Sequence, residues 1–312
     1  MPTLTTNDYA KLFGTTEDEV TIKCGQIIKA LDFRYQKLTS EDRDQFILKT
    51  LKKIDYSELS VAGPHRKSDW EDGWKENLDD FIKSDFDLKS LVPKYHNKDI
   101  PVRVNRDFIL PVSPDFVASV THVFRSWLFQ SYFQDVGSIC EFGCGTAHNL
   151  AYLATLYPQK RLYGFDWASS SQQIIQLLEK HFGYKIKGYN FDFFNPDKNI
   201  HIENNSAVFT FGALEQIGSE YNKFLEFILE RSPAICINVE GLNELYDSTH
   251  LLDYLALKFH TKRNYLNAYL TQLRSLESLG KIEIIKVHHQ QFGFYDDPHS
   301  YVVWKPKTAK MI

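Results

Sequence analysis

The sequence predicts an α/β fold: a doubly wound, mostly parallel sheet with an antiparallel terminal strand, preceded by a helical N-terminal region. Three observations predict it. From residue 136 short apolar runs alternate with segments of helical spacing. The first of those runs ends in a glycine turn, Gly143-Cys144-Gly145. The last two runs, Lys281–Val287 and Ser300–Trp304, are separated by only 12 residues, His288 to His299. That is too tight for a helical crossover, so an antiparallel pair is expected.

Residues 1 to about 110 read as helical, without a strand rhythm. Thr16 caps a helix and Glu19, three residues on, completes a capping box. Val20, Cys24, Ile27, Ile28 and Leu31 then recur at helical spacing. A second helix starts near Ser40 and a third runs through Trp70–Leu78, after the break at Gly63-Pro64. Residues 91–114, with Pro93, Pro101, Pro111, Pro114 and the basic pair Arg103 and Arg106, read as an extended connector. A helix over about 115–134 leads to the alternating region.

Within that region strands are expected at 138–142, 161–166, 185–191, 206–211 and 234–239, with Ser169 or Ser170 capping the helix after the second. A long helical insert covers about 248–279. The division is therefore a helical N-terminal region, 1–110, and an α/β domain, 111–312.

Composition excludes several classes. The chain has 312 residues, 43% hydrophobic and 24% charged, with a net charge of −4 and no long basic run, so no nucleic-acid partner is expected. The N-terminus lacks the apolar core of a signal peptide and no run is long enough to span a membrane. Cys24, Cys140, Cys144 and Cys236 form no CxxC pair; Cys140 and Cys236 sit in apolar runs and read as structural free thiols, which suits a cytoplasmic location, and Cys144 lies in the glycine loop, where a small side chain is needed.

Glu141-Phe142-Gly143-Cys144-Gly145-Thr146-Ala147 sits where a strand turns into a helix, so the backbone there approaches a ligand closely. Asp166 ends the next strand, 21 residues beyond Gly145, where a carboxylate meets ribose hydroxyls. A dinucleotide site would carry a third glycine where this chain has His148, which counts against a nicotinamide-dependent oxidoreductase, the alternative enzyme reading.

These residues resemble class I S-adenosylmethionine-dependent methyltransferases, whose domain is Rossmann-like. Glu141–Ala147 is similar to their first motif and Tyr163-Gly164-Phe165-Asp166 to their second. Phe191-Asp192-Phe193 resembles the adenine-bordering segment, and Phe211–Ile217 the segment flanking donor and acceptor. The resemblance covers about 136–306 and implies S-adenosyl-L-methionine as cofactor. It implies Glu141 at the amino-acid end or ordering the loop, and Gly143 and Gly145 at the homocysteine and sugar. It further implies Asp166 at the ribose, Asp192 and Phe193 at the adenine, and Trp167 and Gly212 beside the cofactor. The expected activity is methyl transfer to an O or N atom of a small polar metabolite or sugar-containing intermediate, with a non-catalytic cofactor-binding scaffold as a further alternative.

Candidate catalytic groups lie after the strands. Glu215, Glu240 and His148 either act on the acceptor or serve as structural caps and ion-pair partners. His260, Lys262, Arg263, Asn264 and Tyr265 form either a clamp for an anionic substrate group or a solvated helix junction, the latter preferred. His288, His289, Asp296, Asp297 and His299 match no metal-binding spacing, so no metal is expected. Trp70, Trp74 and Tyr95 read as core aromatics, with an aromatic lid as the alternative.

Overall fold

The chain opens with helices α1 (Thr6–Phe13) and α2 (Glu17–Ala30), strand β1 (Tyr35–Lys37), and helices α3 (Ser40–Asp55) and α4 (Lys67–Lys83). A hairpin of β2 (Val102–Val104) and β3 (Asp107–Pro111) follows, then α5 (Phe116–Tyr132). Alternation begins with β4 (Ser138–Phe142), α6 (His148–Leu156), β5 (Arg161–Asp166), α7 (Ser169–Phe182) and β6 (Ile186–Asn190). It continues with β7 (Ser206–Phe211), α8 (Asn222–Arg231), β8 (Ile235–Val239), α9 (Leu251–Arg263) and α10 (Tyr269–Ser278). The chain closes with β9 (Ile282–His288), β10 (Phe292–Gly293) and β11 (Tyr301–Pro306). The computed structural model describes residues 1–55, 59–94 and 100–307.

The main sheet has seven strands in the order β6-β5-β4-β7-β8-β11-β9. Strands β4 to β8 run parallel, and β11 lies antiparallel to both β8 and β9. The chain reverses its direction of travel across the sheet between β4 and β7. In an open α/β sheet that reversal opens a crevice beyond the carboxyl ends of the strands. The fold expected from the alternation and from the short terminal connection is the fold observed.

One face of the sheet packs on α1, α2 and α5. Phe13 stacks on Trp127 with ring centroids 5.5 Å apart, and Tyr9, Phe33, Phe124 and Tyr301 join the same cluster. Residues from both sides of position 110 thus share one core. The other face packs on α8 and α10 through Phe142, Phe165, Phe191, Phe224 and Phe227. Each such fully buried side chain contributes about 1.5–3 kcal/mol of transfer free energy.

Four local expectations are corrected. The segment 91–114 is not a plain connector: Asn105 and Arg106, at φ 50° and 64°, turn β2 back onto β3 in a tight hairpin. With β1 and β10 this hairpin forms a second, four-stranded antiparallel sheet, order β1-β3-β2-β10. Strands of two to five residues are too short to show a period of two. The long helix over 248–279 is two helices, broken where Asn264 and Ala268 take left-handed φ values of 50° and 58°. Thr16 caps α2, but the Glu19 carboxylate turns to the Thr15 hydroxyl and Lys23, so that box stays open. The closed capping box belongs to Thr5 and Asp8 of α1. Finally, neither Ser169 nor Ser170 caps α7 with its hydroxyl. Their backbone N–H groups donate to the carboxylate of Glu71 on α4, that of Ser170 at 3.0 Å. An acid from a distant helix thereby satisfies the helix start and favours its positive dipole end.

Candidate functional site

The glycine turn is held from below. The N–H groups of Gly143 and Cys144 donate to the Phe165 carbonyl at 2.7 and 3.2 Å, tying the turn to the end of β5. Gly143 (φ 74°) has no room for a side chain: a Cβ there would lie 2.3 Å from the Ala213 Cβ. At Gly145 (φ 51°) it would lie 3.0 Å from the Trp74 indole. Cys144 is buried, and burial pushes its thiol far up, so it remains a protonated structural thiol. All four cysteines are free and buried.

Asp166 is the second anchor of this turn. Its Oδ2 accepts from Gly145 N at 2.8 Å and its Oδ1 from Ala168 N at 2.9 Å. Burial raises its pKa to about 6, against the lowering pull of those N–H groups. Glu141 projects from β4 behind the turn. Asn149 donates to its Oε1 at 2.6 Å, while its Oε2 is buried without a hydrogen-bond partner. Burial pushes Glu141 up to about 8. An uncompensated carboxylate oxygen against a ligand crevice is a place for a cationic or donor group of the ligand.

That burial has a measurable consequence. Glu141 has an ordinary value of 4.5 and about 8 in the folded chain, so the native state binds its proton more tightly than the unfolded state does. Its contribution to stability is full below about 4.5 and is lost as the pH rises toward 8. Glu141→Gln removes that loss. The variant's thermal midpoint should exceed that of the wild type at alkaline pH, and the gap should close as the pH falls to about 5. A gap independent of pH would show that the carboxyl titrates normally.

Above the turn lies a cavity of about 350 Å³. Of the residues singled out in the sequence, Glu141, Gly143, Gly145, Asp166, Trp167, Phe193, Gly212, Glu215 and His148 all line it. Gly212 (φ 64°) faces open space there. Two do not line it. Asp192 turns back to accept from Phe194 N at 2.8 Å, fixing its own loop, and Phe191 and Phe193 take the wall instead. Glu240 sits beneath the cavity, where its carboxylate accepts from Ala213 N at 3.2 Å and Glu215 N at 3.1 Å. Burial raises Glu240 to about 7. It braces the Gly212–Glu215 segment and does not line the cavity. This corrects the catalytic assignment: a residue directly after a strand points either into the crevice or under it, and one sequence does not show which.

Glu215 does face the cavity. Gln216 donates to its Oε1 at 2.9 Å, and its Oε2 is buried without a partner. Burial, with the Asp296 and Glu240 carboxylates nearby, pushes Glu215 well above the usual range. His148 is engaged by Arg125, whose Nη1 lies 2.9 Å from its Nδ1 and 3.0 Å from Asn149 Oδ1. The imidazole therefore accepts from a guanidinium, which disfavours its action as a free base.

Several lining residues were not singled out as site residues in the sequence. Trp70 and Trp74 are stacked at 5.3 Å and line the cavity from α4, so the lid alternative describes them better than core packing. Tyr95 lies outside the described residues. Arg66 stands over the Trp70 ring at 4.9 Å and donates to Gln216. The i, i+4 spacing of Arg66, Trp70 and Trp74 was the available signal. The 291–299 connection supplies Phe294, Tyr295, Asp296 and His299. Its histidine neighbours have other duties: His288 bonds the Leu12 carbonyl and His289 bonds Asp297.

Five parallel strands, the glycine turn after β4, the acid ending β5 and the antiparallel β11 beside the edge strand together decide the architecture. The architecture is a Rossmann-like, doubly wound α/β fold. Similar solved structures include NcsB1, an O-methyltransferase from neocarzinostatin biosynthesis in complex with S-adenosyl-L-homocysteine and 1,4-dihydroxy-2-naphthoic acid. It is 15% identical with TM-score 0.39, over 62% of this chain and 58% of that one. They also include PigF with S-adenosylhomocysteine, 16% identical with TM-score 0.42, over 60% of this chain and 59% of that one. A third is magnesium protoporphyrin IX methyltransferase (ChlM) from Synechocystis PCC 6803 with bound S-adenosylhomocysteine, 12% identical with TM-score 0.44, over 59% and 80%. This chain thus spans less than two thirds of NcsB1 and of PigF. No family model and no curated protein matches the sequence. Among the described residues no helix is long and apolar enough to cross a membrane.

Proposed function

We infer that this protein is an S-adenosyl-L-methionine-dependent methyltransferase acting on an oxygen or nitrogen of a small acceptor. The observation that carries this reading is the glycine turn clamped by Asp166, beside a Glu141 oxygen that is buried and unsatisfied. Glu141, Gly143, Gly145, Asp166, Trp167, Phe193 and Gly212 fit the cofactor: an acid for its cationic end, bare backbone for close approach, and an aromatic wall for its base. When bound, it supplies an activated methyl carbon, so the protein need only position the acceptor and receive its proton.

Glu215 is suited to receive that proton. It lines the cavity, has a free acceptor oxygen, and is held above the ordinary carboxylate range, so once ionised it is a stronger base than a surface acid. The bond from Gln216, itself accepting from Arg66 Nη1 at 3.2 Å, fixes its orientation. Trp70 and Trp74 exclude water over the turn.

Calorimetry with S-adenosylhomocysteine and, in parallel, NAD tests the reading. Binding of the former at micromolar concentrations without binding of the latter is expected. Binding of NAD alone would turn the assignment to an oxidoreductase. Given a turned-over acceptor, Glu215→Gln should lower kcat by roughly 10²-fold or more while leaving the S-adenosylhomocysteine Kd within about twofold. Unchanged kcat would remove Glu215 from the reaction.

A further inference from the structure

The cofactor-binding end of the cavity is accounted for, but one wall is not. It is built by the last turn of α9 and by the connection between β9 and β11. The polar cluster of that turn divides on folding. His260 is buried against Asp296, with Nε2 2.8 Å from Oδ2, and Lys262 and Asn264 stay exposed. Arg263 and Tyr265 line the cavity.

Arg263 is unusual in its surroundings. Its guanidinium lies 4.7 Å from the centre of the Tyr265 ring and 5.7 Å from that of Phe259. Its Nε is buried without a hydrogen-bond partner, and no carboxylate among the described residues lies within ion-pair distance. The neighbouring acids have other partners: Asp296 is taken by His260, and Glu215 accepts from Gln216. Of the other arginines lining the cavity, Arg66 already pairs with Asp69 at 3.1 Å and Arg125 is engaged by His148 and Asn149. A guanidinium that stacks on aromatic rings and lines a cavity, with no carboxylate of the described residues within ion-pair distance, is arranged for a planar anion. Beside it Tyr295 stacks on Phe259 at 5.3 Å, so the wall around the cation is aromatic. That composition suits a ring better than a sugar.

We propose that the acceptor is an aromatic acid, its carboxylate held by Arg263 and its ring set against Phe259, Tyr265 and Tyr295. This deepens the methyltransferase reading and rests on it for the chemistry, though not for the binding. The carboxylate supplies the missing counter-charge, while the ring carries the hydroxyl or amino group that is methylated.

The test is thermal-shift titration of the full chain with a panel of hydroxy- and amino-benzoates and naphthoates, each paired with its primary amide. Inorganic phosphate and cyclohexanecarboxylate serve as further probes, all in the presence of saturating S-adenosylhomocysteine. Acids should stabilise the protein at concentrations at least about tenfold below those needed for their amides. Arg263→Gln should abolish that preference and Arg263→Lys should keep part of it, with both variants retaining S-adenosylhomocysteine affinity. The proposal is overturned if no panel member stabilises the protein, if amides equal acids, if phosphate or cyclohexanecarboxylate does as well, or if Arg263→Gln keeps the preference. Failure to bind S-adenosylhomocysteine, by contrast, would strike the methyltransferase reading and leave acid binding to be judged separately.

Discussion

Asp166→Asn should weaken S-adenosylhomocysteine binding by roughly 10- to 100-fold. Both carboxylate oxygens accept a backbone N–H, from Gly145 and from Ala168. An amide presents one acceptor and one donor, so one of those N–H groups would face an NH₂ group. Leaving such a buried donor unsatisfied costs about 1–3 kcal/mol, and here the cost falls on the turn beneath the cavity. The wild-type carboxyl is raised to about 6 by burial, so its ionised, acceptor-only form is lost as the pH falls through that value. Affinity for a ligand whose hydroxyls donate to Asp166 should therefore decline below pH 6 in the wild type, and that step should be missing from the variant. Calorimetry between pH 5 and 8 reads both effects. An affinity within twofold of wild type, or an identical pH profile, would mean the acid does not face the ligand.

Arg103→Met carries the largest expected loss of stability, about 3–5 kcal/mol, which lowers the thermal midpoint by on the order of 10 °C in a chain of this size. Arg103 is fully buried on β2 and donates in bidentate fashion to Asp297, at 3.1 and 2.9 Å, and to Asp253 at 3.1 Å. It also donates to the Leu252 carbonyl at the start of α9. One side chain thus joins the small sheet to α9 and to the connection before β11, both of which line the cavity. Methionine fills the space but strands two buried carboxylates, of which His289 and Arg106 satisfy only part. Adding Asp297→Asn should recover a portion of the loss, because the uncompensated charge is what destabilises. Urea unfolding of the three proteins measures this. A loss below 1 kcal/mol would show that the pair is solvated and weak.

The α/β domain was legible in the sequence because its signals are local and long enough to read. Apolar runs such as Ser138–Phe142 and Ser206–Phe211 are buried along their length. The glycine turn has to be glycine at Gly143, where Ala213 leaves no space. The pair β9 and β11 followed from chain length alone. The second sheet was not legible, since β1, β2 and β10 have three, three and two residues and are paired with strands distant in sequence. The capping of α7 by Glu71 was hidden for the same reason: its partners stand 98 and 99 residues apart.

For the site, residue type and spacing determined the turn and the acid that ends β5, because a sharp turn with no room for a side chain calls for glycine. Only tertiary packing decided which acids face the cavity. Glu215 and Glu240 follow neighbouring strands with similar local sequence around them, yet one lines the cavity and the other is consumed by the N–H groups of Ala213 and Glu215. Packing likewise turned Asp192 into a loop brace and Arg263 into a cation on an aromatic wall. The physical reason is that burial and hydrogen-bond saturation are set by neighbours far along the chain, whereas turn geometry is set by the residues of the turn itself.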